Sequence, residues 1–130
     1  MSFTDEQVAY LASQRLGRLA TVDRHGGPQN NSVGYCYSPD LGTIDIGGHN
    51  LAASRKFRNL AVNDHVAFVV DDIVWFRPWR VRCLEIRGHA ETPHDQDPLQ
   101  TGFTTELIRI HRDRVLSFGR TGGGAGAPQG

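Results

Sequence analysis

Gly47-Gly48-His49-Asn50-Leu51-Ala52-Ala53-Ser54-Arg55-Lys56-Phe57-Arg58-Asn59-Leu60 contains the only lysine of a chain that has thirteen arginines. A guanidinium is a planar fork, whereas an ammonium is a compact point charge on a flexible stem, so the two are not interchangeable. A GC-rich genome accounts for the arginine bias but leaves the location of Lys56 unexplained. A hydroxyl (Ser54), a guanidinium (Arg55) and an ammonium (Lys56) arrive together, after a glycine pair and at the start of a helical period. In that period Ala53, Phe57, Leu60 and Ala61 share one face, which predicts a helix over residues 51–62 capped by Asn50 or Ser54. Two glycines let a ligand approach backbone, and a helix start points unpaired amides the same way, so the spacing suits a phosphate. The same spacing also fits a helix with a charged, solvated face.

Reading outward towards the N-terminus, residues 43–47 alternate as a strand, preceded by the turn Ser38-Pro39-Asp40-Leu41-Gly42 and a strand over 29–37. Residues 18–23 turn back through Arg24-His25-Gly26-Gly27-Pro28, which predicts a hairpin. Thr4-Asp5-Glu6-Gln7 is a capping-box sequence that opens a short amphipathic helix over 5–15. Towards the C-terminus, Asn63-Asp64 ends the central helix and residues 65–71 form a nearly continuous apolar run, the mark of a buried strand. Residues 73–80, which hold Trp75, Phe76, Pro78 and Trp79, read as a loop, and Asp71-Asp72 as a strand end facing water. Residues 82–91 alternate again, with Gly88 marking a bulge or a close approach of backbone. Residues 92–102 read as a polar surface loop, and 106–111 as a further strand, followed by 115–118. About six strands and two short helices, rich in hairpins, predict an antiparallel barrel with the helices packed outside.

At 130 residues and 38% hydrophobic, the chain is expected to form one domain over 1–119, with a disordered Gly-rich tail over 120–130. The modest core of such a domain leaves pairing with a second subunit attractive. Lys plus Arg and Asp plus Glu are equal at 14 each, so there is no basic field to draw nucleic acid or anionic membrane, and neither is expected as a partner. Cys36 and Cys83 are too few for a disulfide framework or a zinc cage, and are expected reduced and buried. With no basic-then-apolar leader and no apolar run of membrane-spanning length, the expected compartment is the cytoplasm. No two histidines stand at i, i+4 spacing with an acidic partner, so no metal site is expected. His49 is the best titrating candidate near the phosphate seat, and no catalytic acid or base is assigned.

Ser54-Arg55-Lys56 after a strand and short turn, followed by Arg58-Asn59-Leu60, resembles the phosphate-binding segment of the pyridoxamine 5'-phosphate oxidase-like, split-barrel flavin-binding superfamily. Gly17-Arg18-Leu19-Ala20-Thr21-Val22 with Gly27-Pro28-Gln29 is similar to its opening hairpin. Pro78-Trp79-Arg80 and Glu85-Ile86-Arg87-Gly88-His89-Ala90-Glu91 are similar to its actinobacterial branch. The resemblance implies a mainly β fold with short helices, a six-stranded antiparallel split barrel of Greek-key type. It also implies a cytoplasmic homodimer with two cofactor sites at the subunit interface. The cofactor it implies is the deazaflavin F420, with FMN as the alternative, and the activity is hydride transfer to or from a small molecule. By position, Ser54, Arg55 and Lys56 would hold the cofactor phosphate, and Asn31, Ser32, Val33 and Gly34 would lie along the ring edge. Gly47, Gly48 and His49 would line the same groove, with Trp79 and Arg80 supplied by the partner subunit. Ser32 stands where members of the family often carry proline, and a non-enzymatic module that binds a flavin or F420 is a further reading. Trp75, Phe76 and Trp79 would form a substrate-side wall or fill the dimer interface, with the interface favoured.

Overall fold

The computed structural model describes residues 3–119, so the tail expected to be disordered lies outside the described residues. Helix α1 (Asp5–Ser13) opens on the capping box: Thr4 Oγ1 accepts from the Gln7 amide at 3.1 Å and Gln7 Oε1 accepts from the Thr4 amide at 2.9 Å. It stops two residues earlier than the spacing predicts, because Gln14 is already extended. Strands β1 (Leu16–Val22), β2 (Pro28–Gly34), β3 (Cys36–Ser38) and β4 (Thr43–Ile46) follow. A 3₁₀ turn (Leu51–Ala53), helix α2 (Arg55–Leu60) and strands β5 (His65–Phe76), β6 (Trp79–Glu91) and β7 (Ile108–Phe118) complete the described residues.

All seven strands belong to one antiparallel sheet in the order β2-β1-β5-β6-β7-β4-β3. The two edge strands, β2 and β3, are consecutive in sequence and separated only by Tyr35. The sheet must therefore curl until its edges meet at that residue, which makes it a split barrel. The strand expected over 29–37 is thus divided: its first part pairs with β1 and its last part with β4, and the count rises from six to seven.

Alternation fills the inside of the curl. Leu19, Ile44, Ile46, Phe68, Val70, Leu84, Ile86, Ile108 and Ile110 are each no more than 1% exposed, and Leu11 of α1 joins them. Phe68 sits where Gly17 leaves room: a β-carbon at Gly17 would enter its ring, and Tyr35 meets the same ring edge-on at 5.3 Å. Gly88 serves both purposes read from the sequence. The β6–β7 register shifts between Arg87 and Gly88, and a β-carbon there would overlap the His111 carbonyl oxygen.

Three local expectations are corrected. Residues 73–80 are not a loop, because the β5–β6 ladder continues through Ile73↔Val81 and Trp75↔Arg80 to Phe76↔Trp79, and only Arg77-Pro78, joined by a cis peptide bond, turns. Proline and clustered aromatics signalled a turn, but it takes two residues, since backbone pairing carries the strands past the end of the core. The helix expected over 51–62 is broken at Ser54, whose backbone is extended, so the 3₁₀ turn precedes a six-residue α2. Cys36 is exposed and Cys83 partly buried, because both lie away from the inner face.

Candidate functional site

Around the glycine pair the structure differs from the open backbone expected of it. The connection between β6 and β7 lies across the end of β4: the Phe103 ring packs on Gly47, and a β-carbon at residue 47 would come within 2.8 Å of it. The Thr104 amide and hydroxyl both donate to the Gly48 carbonyl, at 2.9 and 3.2 Å, while the same hydroxyl accepts from the Leu51 amide at 3.4 Å. His49 Nδ1 lies 3.2 Å from the Gly102 carbonyl and its ring meets Phe103 edge-on. Protein groups, then, occupy much of the backbone that the two glycines were expected to present.

Ser54 caps α2. Its hydroxyl accepts from the Phe57 amide at 3.3 Å and donates to the Leu51 carbonyl at 2.6 Å, so its one proton is already committed. Arg55 and Lys56 follow in the first turn, which carries no acidic residue. Among the described residues neither cation forms an ion pair within 4 Å, and Lys56 is partly buried. Arg55 lies towards the β1–β2 turn. There the Gly27 and His25 amides hold the Asp23 carboxyl below its ordinary range, and the Arg55 guanidinium adds a lesser pull.

A polar relay links this corner to β2. Buried Asn59 donates to Thr21 Oγ1 at 3.0 Å and to Gln29 Oε1 at 3.3 Å, and Gln29 in turn donates to Asn31 Oδ1 at 2.8 Å. From Asn31 the strand runs through exposed Ser32 to exposed Gly34, while Val33 turns its side chain into the core. As an edge strand β2 pairs only with β1 among the described residues, which leaves its other backbone edge outside their sheet. The structure thus ties α2 to the start of β2 through Asn59 and sets Arg55 towards the turn that leads into it, while Gly47 shares a cavity with Gly34 at its other end.

Trp79 and Arg80 are not brought to either place within one chain. They sit at the tip of the β5–β6 hairpin, separated from β2 by β1 and β5, and the tip projects beyond the N-terminal end of β1, away from α2. Ile73, Val74, Trp75, Phe76 and Trp79 on that tip are 43 to 68% exposed. Asp71 faces water as expected, while pairing with Arg18, whereas Asp72 is partly buried and held bidentately by Arg82 at 2.9 and 2.6 Å, and β5 continues past both. The buried Tyr10 hydroxyl also donates to Asp72 at 2.9 Å, anchoring α1 at the base of the hairpin.

A cavity of about 400 Å³ opens where the barrel edges meet. It is walled by the end of α1 and the two residues after it (residues 12–15), by Gly34, Tyr35 and Cys36, and by Gly47, Leu99, Gln100 and Phe103. Of the candidate site residues read from the sequence only Gly34 and Gly47 line it. Arg15, Cys36, Leu99, Gln100 and Phe103 were missed, although one signal was available: β6 and β7 pair directly yet are joined by residues 92–107, far longer than an ordinary hairpin loop. Among the described residues no three His, Cys, Asp or Glu side chains converge to hold a metal. Among them too, no helix is long and apolar enough to cross a membrane.

Three comparisons place this geometry among known proteins. The family model described as pyridoxamine 5'-phosphate oxidase matches residues 3–125. A 5a,11a-dehydrotetracycline/5a,11a-dehydrooxytetracycline reductase of Streptomyces rimosus is 43% identical over 123 residues, which cover 94% of this chain and 87% of that protein. Among solved structures, a conserved hypothetical protein of Mycobacterium tuberculosis superposes with a TM-score of 0.69 at 20% identity, covering 91% of this chain and 86% of the other. An FAD binding protein of Mycobacterium smegmatis superposes at 0.65 with 18% identity, over 91% and 97% of the two chains. At those identities the superpositions carry the fold alone.

Proposed function

The chain belongs to the pyridoxamine 5'-phosphate oxidase family, and from that premise we propose that it is an oxidoreductase that holds the deazaflavin F420 and passes hydride between it and a small organic molecule. The observation that carries this reading is Lys56, a lone, partly buried ammonium beside Arg55, with no ion pair for either among the described residues. Such a pair of cations fits a phosphate, and the β2 edge running from Asn31 to Gly34 fits a ring system laid along it. Three residue steps of strand reach about 10 Å, enough to separate a phosphate end from a ring end.

When bound, reduced F420 supplies a hydride, and water supplies the proton that completes reduction of the acceptor. The work of this chain is binding and orientation. Arg55 and Lys56 would seat the phosphate, with Ser54 shaping the turn that presents them rather than donating to the ligand. Asn31 and Ser32, with the backbone of Val33 and Gly34, would meet the ring edge, and Gly47, Gly48 and His49 would close the groove, with the Phe103 strap behind them. Rate acceleration then comes from proximity and orientation.

The reading includes a cytoplasmic homodimer in which Trp79 and Arg80 of each hairpin complete the partner's site. The exposed apolar tip supports this, since so much unpaired aromatic surface favours an interface. FMN is the second reading, the alternative that membership of this family leaves open. The S. rimosus relative is a reductase of dehydrotetracyclines, and a molecule of that kind is the first acceptor to try. The deciding experiment titrates the purified protein with F420 and FMN side by side. Quenching of F420 fluorescence by a colourless protein supports the first reading, and a yellow protein that retains FMN supports the second. Failure to bind either removes the proposal, and binding without reduction of any acceptor leaves a non-enzymatic cofactor module.

A further inference from the structure

The cavity at the meeting of the barrel edges has features that the cofactor reading does not absorb. Gly34 is not required there by conformation or by packing. Its φ is not positive, and the nearest atom to a β-carbon at residue 34 would be the Arg15 carbonyl oxygen, 3.9 Å away. The missing side chain is therefore open space, unlike that of Gly47, which the Phe103 ring fills.

The charge of the cavity is one-sided. Arg15, which is exposed, is the only charged residue among those that line it, and among the described residues it makes no ion pair within 4 Å. The carbonyl end of α1, which would repel an anion, is blunted. The Tyr10 carbonyl accepts from the Ser13 hydroxyl at 2.7 Å, and the Leu11 carbonyl accepts from the Tyr35 hydroxyl at 2.6 Å. Tyr35, Leu99 and Phe103 supply apolar walls, and the volume falls within the range of small-molecule sites.

We propose that this cavity is the acceptor pocket, that it takes a planar ring-bearing acid, and that Arg15 is the specificity-determining residue that grips the acid's anionic oxygen. A guanidinium fork matches two oxygens on a planar group better than an ammonium would. Gly34, shared between this pocket and the proposed ring edge, keeps the space through which acceptor and cofactor would meet. The word acceptor rests on the oxidoreductase reading above, whereas the capacity to bind a planar acid does not and is tested without cofactor.

Cys36 lines the cavity and is exposed, so its alkylation by iodoacetamide reports occupancy. In the full-length chain carrying Cys83→Ser, 1-hydroxy-2-naphthoate should slow Cys36 alkylation saturably, with its neutral methyl ester a weaker protector. Arg15→Gln should raise the concentration of acid needed by about tenfold or more, the loss expected for one charge-assisted bond, and leave the ester unchanged. Gly34→Leu should abolish protection by both probes at an unchanged melting temperature. Absence of protection by the acid, equal protection in Arg15→Gln, or undiminished protection in Gly34→Leu would each overturn the proposal. A chain that binds neither F420 nor FMN but shows the predicted protection would sink the redox reading and leave the pocket standing.

Discussion

The Tyr35 hydroxyl donates to the main-chain carbonyl of Leu11 at 2.6 Å, so the residue at which the two barrel edges meet is tied to the last turn of α1. Burial pushes the Tyr35 phenol up to about 12 from its ordinary 10.0, and burial followed by the Asp72 hydrogen bond pushes Tyr10 in the same direction. A raised folded pKa favours the protonated native state, so this contribution is complete below pH 10.0 and is lost as pH rises towards about 12. Stability measured by urea denaturation should fall across that window. Tyr35→Phe, which leaves the Leu11 carbonyl unpaired, should cost about 1–2 kcal/mol at neutral pH and flatten part of the alkaline fall. An alkaline profile identical to that of the wild type would contradict the role given to this phenol.

Asp72 works at the acid end. Hydrogen bonds from Arg82 first, then from Tyr10, hold its carboxyl below the ordinary 3.8 against the opposing effect of burial. A depressed folded pKa adds stability that is present above 3.8 and lost as pH falls below it. Asp72→Ala should destabilise by about 2 kcal/mol or more at neutral pH, because it strands Arg82 and Tyr10 together. The loss should shrink when the denaturation is repeated in acid.

Two glycines should behave in opposite ways. Gly88→Ala forces a β-carbon against the His111 carbonyl and should cost about 3 kcal/mol or more, since backbone on backbone cannot relax as a flexible side chain does. Gly34→Ala meets nothing closer than 3.9 Å and should leave the thermal midpoint unchanged. Calorimetry on the two variants tests the contrast directly.

In the α2 segment, neighbouring polar residues divide the labour. Lys56→Ala should weaken cofactor binding by about 1–3 kcal/mol with the fold intact, as for loss of one charged hydrogen bond. Ser54→Ala should instead act through stability, by about 1 kcal/mol, because its hydroxyl is the cap of α2. Unchanged affinity in Lys56→Ala would remove the phosphate assignment.

The exposed hairpin tip yields a test of assembly. Phe76 is 68% exposed in the single chain, so Phe76→Asp should not disturb the core but should shift a dimer towards monomer in light scattering at micromolar concentration. A wild-type chain that scatters as a monomer would refute the homodimer outright.

Much of the architecture is legible in the chain alone, and the reason differs from element to element. Thr4 and Gln7 lie three residues apart, so their reciprocal cap needs nothing beyond the local chain. Gly88 reads as a close approach because a glycine weakens an alternating strand unless its bare backbone is needed there. In the 73–80 stretch, proline and aromatics signal a turn without saying how far pairing with residues 79–91 carries the strands beyond the core. The glycine pair at 47 and 48 reads as ligand space, whereas Phe103 and Thr104, more than fifty residues away, take much of it.

What the sequence by itself determined is therefore the set of caps, turns and alternating strands, together with the likeness that names the family. Each of these rests on residues a few positions apart or on a motif carried in one piece. Only the tertiary structure decided that β2 and β3 are the two edges of one curled sheet. It also decided that residues 12–15, 34–36, 47, 99, 100 and 103 line a cavity there, with Arg15 the only charged residue among them. Such a space is set by strand register and by the packing of segments distant in the chain, and no local periodicity encodes a volume that the side chains leave empty.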